Sequence, residues 1–137
     1  MNTKNCIFII RGLPGSGKSE LGLAIADITI SEDDFHHRMG TYHFDPTMRH
    51  EAIGWMIDRA VFEMDSGTKR IAVATCAMTL EELAAIRMNA TESGYQLFSI
   101  LVQNDHGGKS IHDVKPEDYK WMAAHMDNTL DYRVTEQ

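Results

Sequence analysis

The sequence predicts an α/β protein in three layers, a mostly parallel sheet of four strands, or five, flanked by helices on both faces. Three observations predict it. Short apolar runs rich in β-branched residues alternate with segments whose apolar positions recur at helical spacing; parallel strands need such crossovers, and the crossovers cover the sheet. A glycine-rich stretch, Gly12 to Ser19, joins the first apolar run to the first helical pattern. The chain has 137 residues, 43% of them hydrophobic. That length suits a single domain over 1–137, with a core that needs neither disulfides nor a structural metal.

Cys6-Ile-Phe-Ile-Ile10 is continuously apolar and closed by glycines, the pattern of a central strand buried on both faces. Leu21, Ala24, Ile25 and Ile28 then fall at helical spacing, and Ile28-Thr29-Ile30 forms a short second strand ending in the polar cluster Ser31-Glu32-Asp33-Asp34. From Pro46 to about Ser66 the positions Ile53, Met56, Ile57, Ala60, Val61 and Met64 make the stripe of a long amphipathic helix, stopped by Gly67. Ile71 to Thr75 is the third strand. Thr79-Leu-Glu-Glu82 is a capping box opening a helix to about Ser93, with Gly94 as its stop, and Tyr95 to Val102 is the fourth strand. The polar segment Gln103 to Lys115 has the character of a lid. It leads to a last helix opened by Pro116, with Tyr119, Met122, Ala123, Met126 and Leu130 on one face.

Thirteen Lys and Arg against twenty Asp and Glu leave a net charge of −7. Bulk electrostatics therefore draws the protein to neither nucleic acid nor an anionic membrane, and any polyanion must be held by a local group of cations. Cys6 and Cys76 lie in apolar runs without metal-ligand spacing, as expected of buried, reduced thiols in a cytoplasm. The first apolar run is too short for a signal-peptide core or a membrane span, so no export or anchoring signal is expected. Seven histidines, four of them at 36, 37, 43 and 50, lack a ligand framework. Trp55, Trp121 and most of the nine methionines are expected in the core.

Gly12-Leu-Pro-Gly-Ser-Gly17-Lys18-Ser19 satisfies G-x-x-x-x-G-K-[ST] between a buried strand and a helix, the context in which that pattern has physical meaning. A chance match in so short a chain is rare, roughly a per cent or less. Gly12, Gly15 and Gly17, with Ser16 between them, allow successive backbone N–H groups to turn inward on phosphates, and the helix that follows adds the positive end of its dipole. Lys18 is placed to reach the outer phosphates of a nucleoside triphosphate and Ser19 to be a ligand of Mg²⁺. Asp33 and Asp34 follow the second strand and should stand at the same carboxyl edge of the sheet, where a carboxylate can accept the proton of an attacking hydroxyl. A solvated acidic turn is the competing reading of that pair.

Gly12 to Ser19, Glu32-Asp33-Asp34-Phe35, Gly40-Thr-Tyr42, Phe44-Asp45-Pro46 and Trp55 together resemble the small P-loop kinases that include the kinase domain of bacteriophage polynucleotide kinase. The resemblance continues through the third strand, Gly94-Tyr95, and Val114 with Tyr119 and Met122, and so spans nearly the whole chain. It implies a phosphotransferase that uses ATP and Mg²⁺ to phosphorylate a hydroxyl of a nucleic acid end, a nucleoside or a modified base. Asp33 would be the general base, and Asp34 would support it or orient the substrate. For a phage-encoded protein the setting would be the host cytoplasm. A small nucleotide or metabolite kinase, or a nucleotide-binding module of weak catalysis, are the alternatives.

Three departures set this chain apart from those kinases. Ala74-Thr75-Cys76-Ala77 stands where they carry an Asp-Asn-Thr-Asn or Asp-Thr-Asn segment. The lid offers Lys109 and Lys115 in place of arginines, and lysine cannot make the bidentate guanidinium contact. His36, His37 and Arg38 stand where polynucleotide kinases have an arginine soon after the aspartates. Arg38, Arg49, Lys109 and Lys115 are the expected cations for a polynucleotide substrate, with His36 or His37 near the acceptor.

Overall fold

The computed structural model describes residues 4–13, 16–38, 46–75, 80–102 and 117. Four strands, β1 (Cys6–Arg11), β2 (Ile28–Ser31), β3 (Arg70–Thr75) and β4 (Gln96–Leu101), alternate with helices α1 (Lys18–Ile25), α2 (Glu32–Arg38), α3 (Arg49–Asp65) and α4 (Leu80–Glu92). The strands form one all-parallel sheet in the order β2-β3-β1-β4, which places β1 in its interior, as its unbroken apolar sequence predicts. Among the described residues there is no fifth strand. The expected lid over Gln103 to Lys115 and the helix after Pro116, Glu117 excepted, lie outside the described residues, as does the Thr79 cap.

Strand alternation sorts the sheet's residues between two faces. Ile7 and Ile9 of β1, Ile30 of β2, and Ile71 and Val73 of β3 point to one side. There they pack against Ile53, Met56, Ala60 and Met64 of α3 and Leu83, Ile86 and Ala90 of α4. Trp55, Ile57 and Val61 are partly buried against this core, and the Trp55 ring lies 6.1 Å from that of Phe35. Both long helices end as their sequences predict. Thr68 N donates to Glu63 O at 3.1 Å and Tyr95 N to Ala90 O at 2.8 Å, the six-residue bonds of a glycine-terminated helix.

The opposite face differs from the sequence expectation. The spacing continued the stripe of α1 to Ile28, but the helix ends at Ile25 and Ala26 is extended; Ile28 opens β2, as the strand pattern Ile28-Thr29-Ile30 predicts. The buried face of α1 centres on Gly22, where a Cβ would come within 2.9 Å of the Thr29 side chain and 3.4 Å of Ala72 Cβ. Close approach of helix to sheet, rather than large apolar side chains, seats α1, and Leu23 is left exposed. Cys6 is a free thiol, only partly buried rather than enclosed. Among the described residues no helix is long and apolar enough to cross a membrane.

Candidate phosphate-binding site

The strands end together at one edge, and the glycine-rich loop begins there. Gly12 N donates to Thr75 O at 3.2 Å and Val102 N to Arg11 O at 2.8 Å, so the loop leaves the sheet held from both neighbouring strands. Gly12 is buried, and a Cβ on it would collide with Ser16 Oγ and lie 3.2 Å from Val102 O. Ser16 N donates to Leu13 O at 3.0 Å and folds the loop back on itself. Gly17 has φ 92 and ψ 15, a left-handed conformation that side-chain-bearing residues rarely adopt, and it leads directly into α1.

The N-cap of α1 is Gly17, and among the described residues no side chain caps the helix; its first N–H groups and the positive end of its dipole face the loop. Lys18, partly buried, and Ser19, exposed, are its first two residues. This cradle, tight at Gly12 and left-handed at Gly17, fits a polyphosphate. Were a nucleoside triphosphate and Mg²⁺ to bind here, Ser19 would offer the metal a hydroxyl and Lys18 the phosphates a cation. Gly15 lies outside the described residues.

The aspartate pair stands at the same edge, one strand away across β3, but not in a turn. Glu32 to Arg38 is helical because Ser31 and Asp34 form a reciprocal cap. Ser31 N donates to Asp34 Oδ2 at 3.1 Å, and Asp34 N donates to Ser31 Oγ at 3.3 Å. The Ser-x-x-Asp spacing was the available signal for this helix start. Asp34 thus uses a carboxylate oxygen on the backbone N–H of Ser31, while Asp33 occupies the second position of α2, partly buried. His36, His37 and Arg38 continue the helix backbone. Lys109 and Lys115 fall outside the described residues.

Arg49 departs from its expected role as a phosphate contact. It opens α3 with 7% of its surface exposed, and its Nη1 donates to Glu82 Oε1 at 3.1 Å and Oε2 at 3.0 Å, joining α3 to α4. A guanidinium so engaged is a tie between helices. Glu32 and Thr75 carried no assigned role in the sequence, yet both are buried, and Thr75 Oγ1 donates to Glu32 Oε1 at 2.7 Å. Among the described residues no group of three or more His, Cys, Asp or Glu side chains is arranged to hold a metal ion by itself.

No protein-family model matches the chain. Solved structures do. A chain of the Pnkp1/Rnl/Hen1 RNA repair complex matches 98% of this chain with a TM-score of 0.66 and 14% identity, and this chain spans 47% of its length. A protein of Chloroflexus aurantiacus provisionally described as a kinase matches 88% of this chain and 78% of its own, with a TM-score of 0.60 and 18% identity. The Mycobacterium tuberculosis APS kinase CysC, in complex with AMPPNP and APS, matches 99% of this chain and 78% of its own, with a TM-score of 0.52 and 18% identity. Identities this low speak for architecture alone, and by its sheet order, phosphate loop and flanking helices the chain has the fold of the P-loop kinases.

Proposed function

We propose that the chain is a P-loop kinase that transfers the γ-phosphoryl group of ATP, with Mg²⁺, to a hydroxyl of a nucleic acid end, a nucleoside or a modified base. The observation that carries this reading is the pairing of two features at one sheet edge: a phosphate cradle followed by Lys18-Ser19, and Asp33 in the first turn of α2. Phosphoryl transfer needs little else from a protein than charge stabilisation at the phosphates and a carboxylate to receive the acceptor's proton. Lys18 neutralises the outer phosphates, Ser19 holds Mg²⁺, Asp33 is the general base, and Asp34 steadies the turn that carries it. The family resemblance, and likeness to a chain of an RNA repair complex, favour a nucleic-acid-related acceptor. The net charge of −7 and the engagement of Arg49 with Glu82 favour a short one, because few cations remain to follow a long phosphate backbone.

The test is transfer of label from γ-labelled ATP to oligonucleotides, nucleosides and nucleotides at two salt concentrations. Lys18→Ala serves as the control. Label should appear on an acceptor hydroxyl, and Lys18→Ala should lower turnover by about a hundredfold or more, the usual loss when one preorganised charge is removed from a transition state. An oligonucleotide acceptor should show a log–log salt slope of about 0.7 per phosphate contact. Equal, salt-independent rates on a mononucleoside and an oligonucleotide would move the assignment to a small-molecule kinase. Absence of label on every acceptor would end the kinase reading, and unchanged turnover in a folded Lys18→Ala protein would remove Lys18 from it.

A further inference from the structure

We propose that Glu32 and Thr75 are a positioning pair that fixes Asp33 relative to the phosphate loop; this rests on the kinase reading above. The parallel register lays the side chains of one face in rows across the sheet. Ile28, Ile71 and Ile7 share one row, and Ile30, Val73 and Ile9 the next. Two residues further on, the pattern changes from aliphatic to charged. Thr75 pairs with Arg11, and Glu32, one residue past the Ser31–Ala74 pair, comes level with Thr75 and accepts its hydroxyl.

Glu32, Thr75 and Arg11 are 6%, 0% and 2% exposed. Burying ionisable groups costs free energy that a third aliphatic row would avoid, so this row is a poor choice for stability alone. Its place in the chain suggests what it does. Arg11 directly precedes Gly12, and Glu32 directly precedes Asp33, so the row links the last residue before the phosphate loop to the last residue before the proposed base. Asp33 is then held from both sides, by the bond of Glu32 to Thr75 of β3 and by Asp34 in the cap with Ser31. A base has to lie within hydrogen-bond reach of its proton, and small misplacements of α2 would translate into lost rate.

Three variants test the pair: Thr75→Val, which keeps the shape and removes the donor, Thr75→Ser, which restores it, and Glu32→Gln. Each is compared with the unaltered chain for ATP affinity, turnover and hydrogen exchange of the α2 amides at 36–38. Thr75→Val should hold ATP affinity within about twofold while turnover falls about ten- to hundredfold, as expected for one hydrogen bond to a carboxylate. Exchange at 36–38 should rise, Thr75→Ser should recover both values, and Glu32→Gln should fall between. Unchanged turnover and exchange in Thr75→Val would overturn the proposal. So would a parallel loss of ATP affinity and turnover that Thr75→Ser does not rescue. If the unaltered chain transfers phosphate to nothing, the kinase reading fails by itself, and the exchange rates alone still decide whether the pair holds α2.

Discussion

At the amino ends of the strands, polar side chains bond mostly to backbone: Tyr95 Oη donates to Thr68 O at 2.5 Å, and Asp27 Oδ2 accepts from Arg70 N at 3.1 Å. Buried Glu63 is served from beside its own helix, by Thr68 Oγ1 at 2.6 Å and Arg59 at 3.5 Å. At the carboxyl ends, side chain meets side chain between distant elements, Thr75 with Glu32 and Arg49 with Glu82. Backbone partners are present whatever the sequence, whereas side-chain pairs persist only if both members do. The first edge therefore closes the fold. The second places charge beneath the surface at which parallel α/β sheets bind ligands.

Substitutions at the two edges should therefore differ in size and in kind: at the carboxyl edge they cost more, in turnover at the proposed base and in stability at the Arg49–Glu82 tie, and at the amino edge less, in stability alone. The largest effect is expected for Asp33→Asn, which keeps the shape and removes the proton acceptor. Transfer should fall about 10²- to 10⁴-fold, with nucleotide affinity and thermal midpoint nearly unchanged. Single-turnover kinetics beside a melting curve would check it. An equal or greater loss in Asp34→Asn would assign the base to the other carboxylate and leave the capping role of Asp34 secondary.

Next in size is Arg49→Leu, which leaves the Glu82 carboxylate without its guanidinium between α3 and α4. The side chains of the pair are 8% and 16% exposed. Breaking it should cost about 3 kcal/mol, the lower end for buried pairs because Glu82 keeps some water. Urea denaturation would measure this. A variant as stable as the parent, with weakened binding of an oligonucleotide instead, would return Arg49 to the role of a phosphate contact.

The smallest effect belongs to the amino edge. Tyr95→Phe should cost about 1 kcal/mol at neutral pH, the net worth of one neutral hydrogen bond, without changing turnover. Burial raises the Tyr95 pKa above its ordinary value of 10.0, Glu63 and Asp65 add to the rise, and a bond with Asn5 opposes it. The unfolded chain therefore releases this proton first. The stabilisation is complete below pH 10.0 and is lost as pH climbs through the folded-state value. Denaturation at several alkaline pH values should show that decline in the parent and a flatter profile in Tyr95→Phe; identical slopes would remove Tyr95 from the account.

Local patterns in the sequence determined the order and kind of the described elements, the interior place of β1, the stripe of α3 and the glycine-rich cradle before Lys18. Each is set by residues within a few positions of one another: β-branched runs for strands, spacings of three and four for helices, glycines where a helix must stop or a loop must turn. The cap at Ser31–Asp34 was equally local, and the helix after β2 follows from it. Tertiary structure alone decided that α1 seats by Gly22 against Thr29 and Ala72, that Arg49 ties two helices together, and that Thr75 meets Glu32 from 43 residues away. Those outcomes depend on strand order and register, because a residue's row in a sheet is fixed by which strand lies beside it and not by its neighbours along the chain.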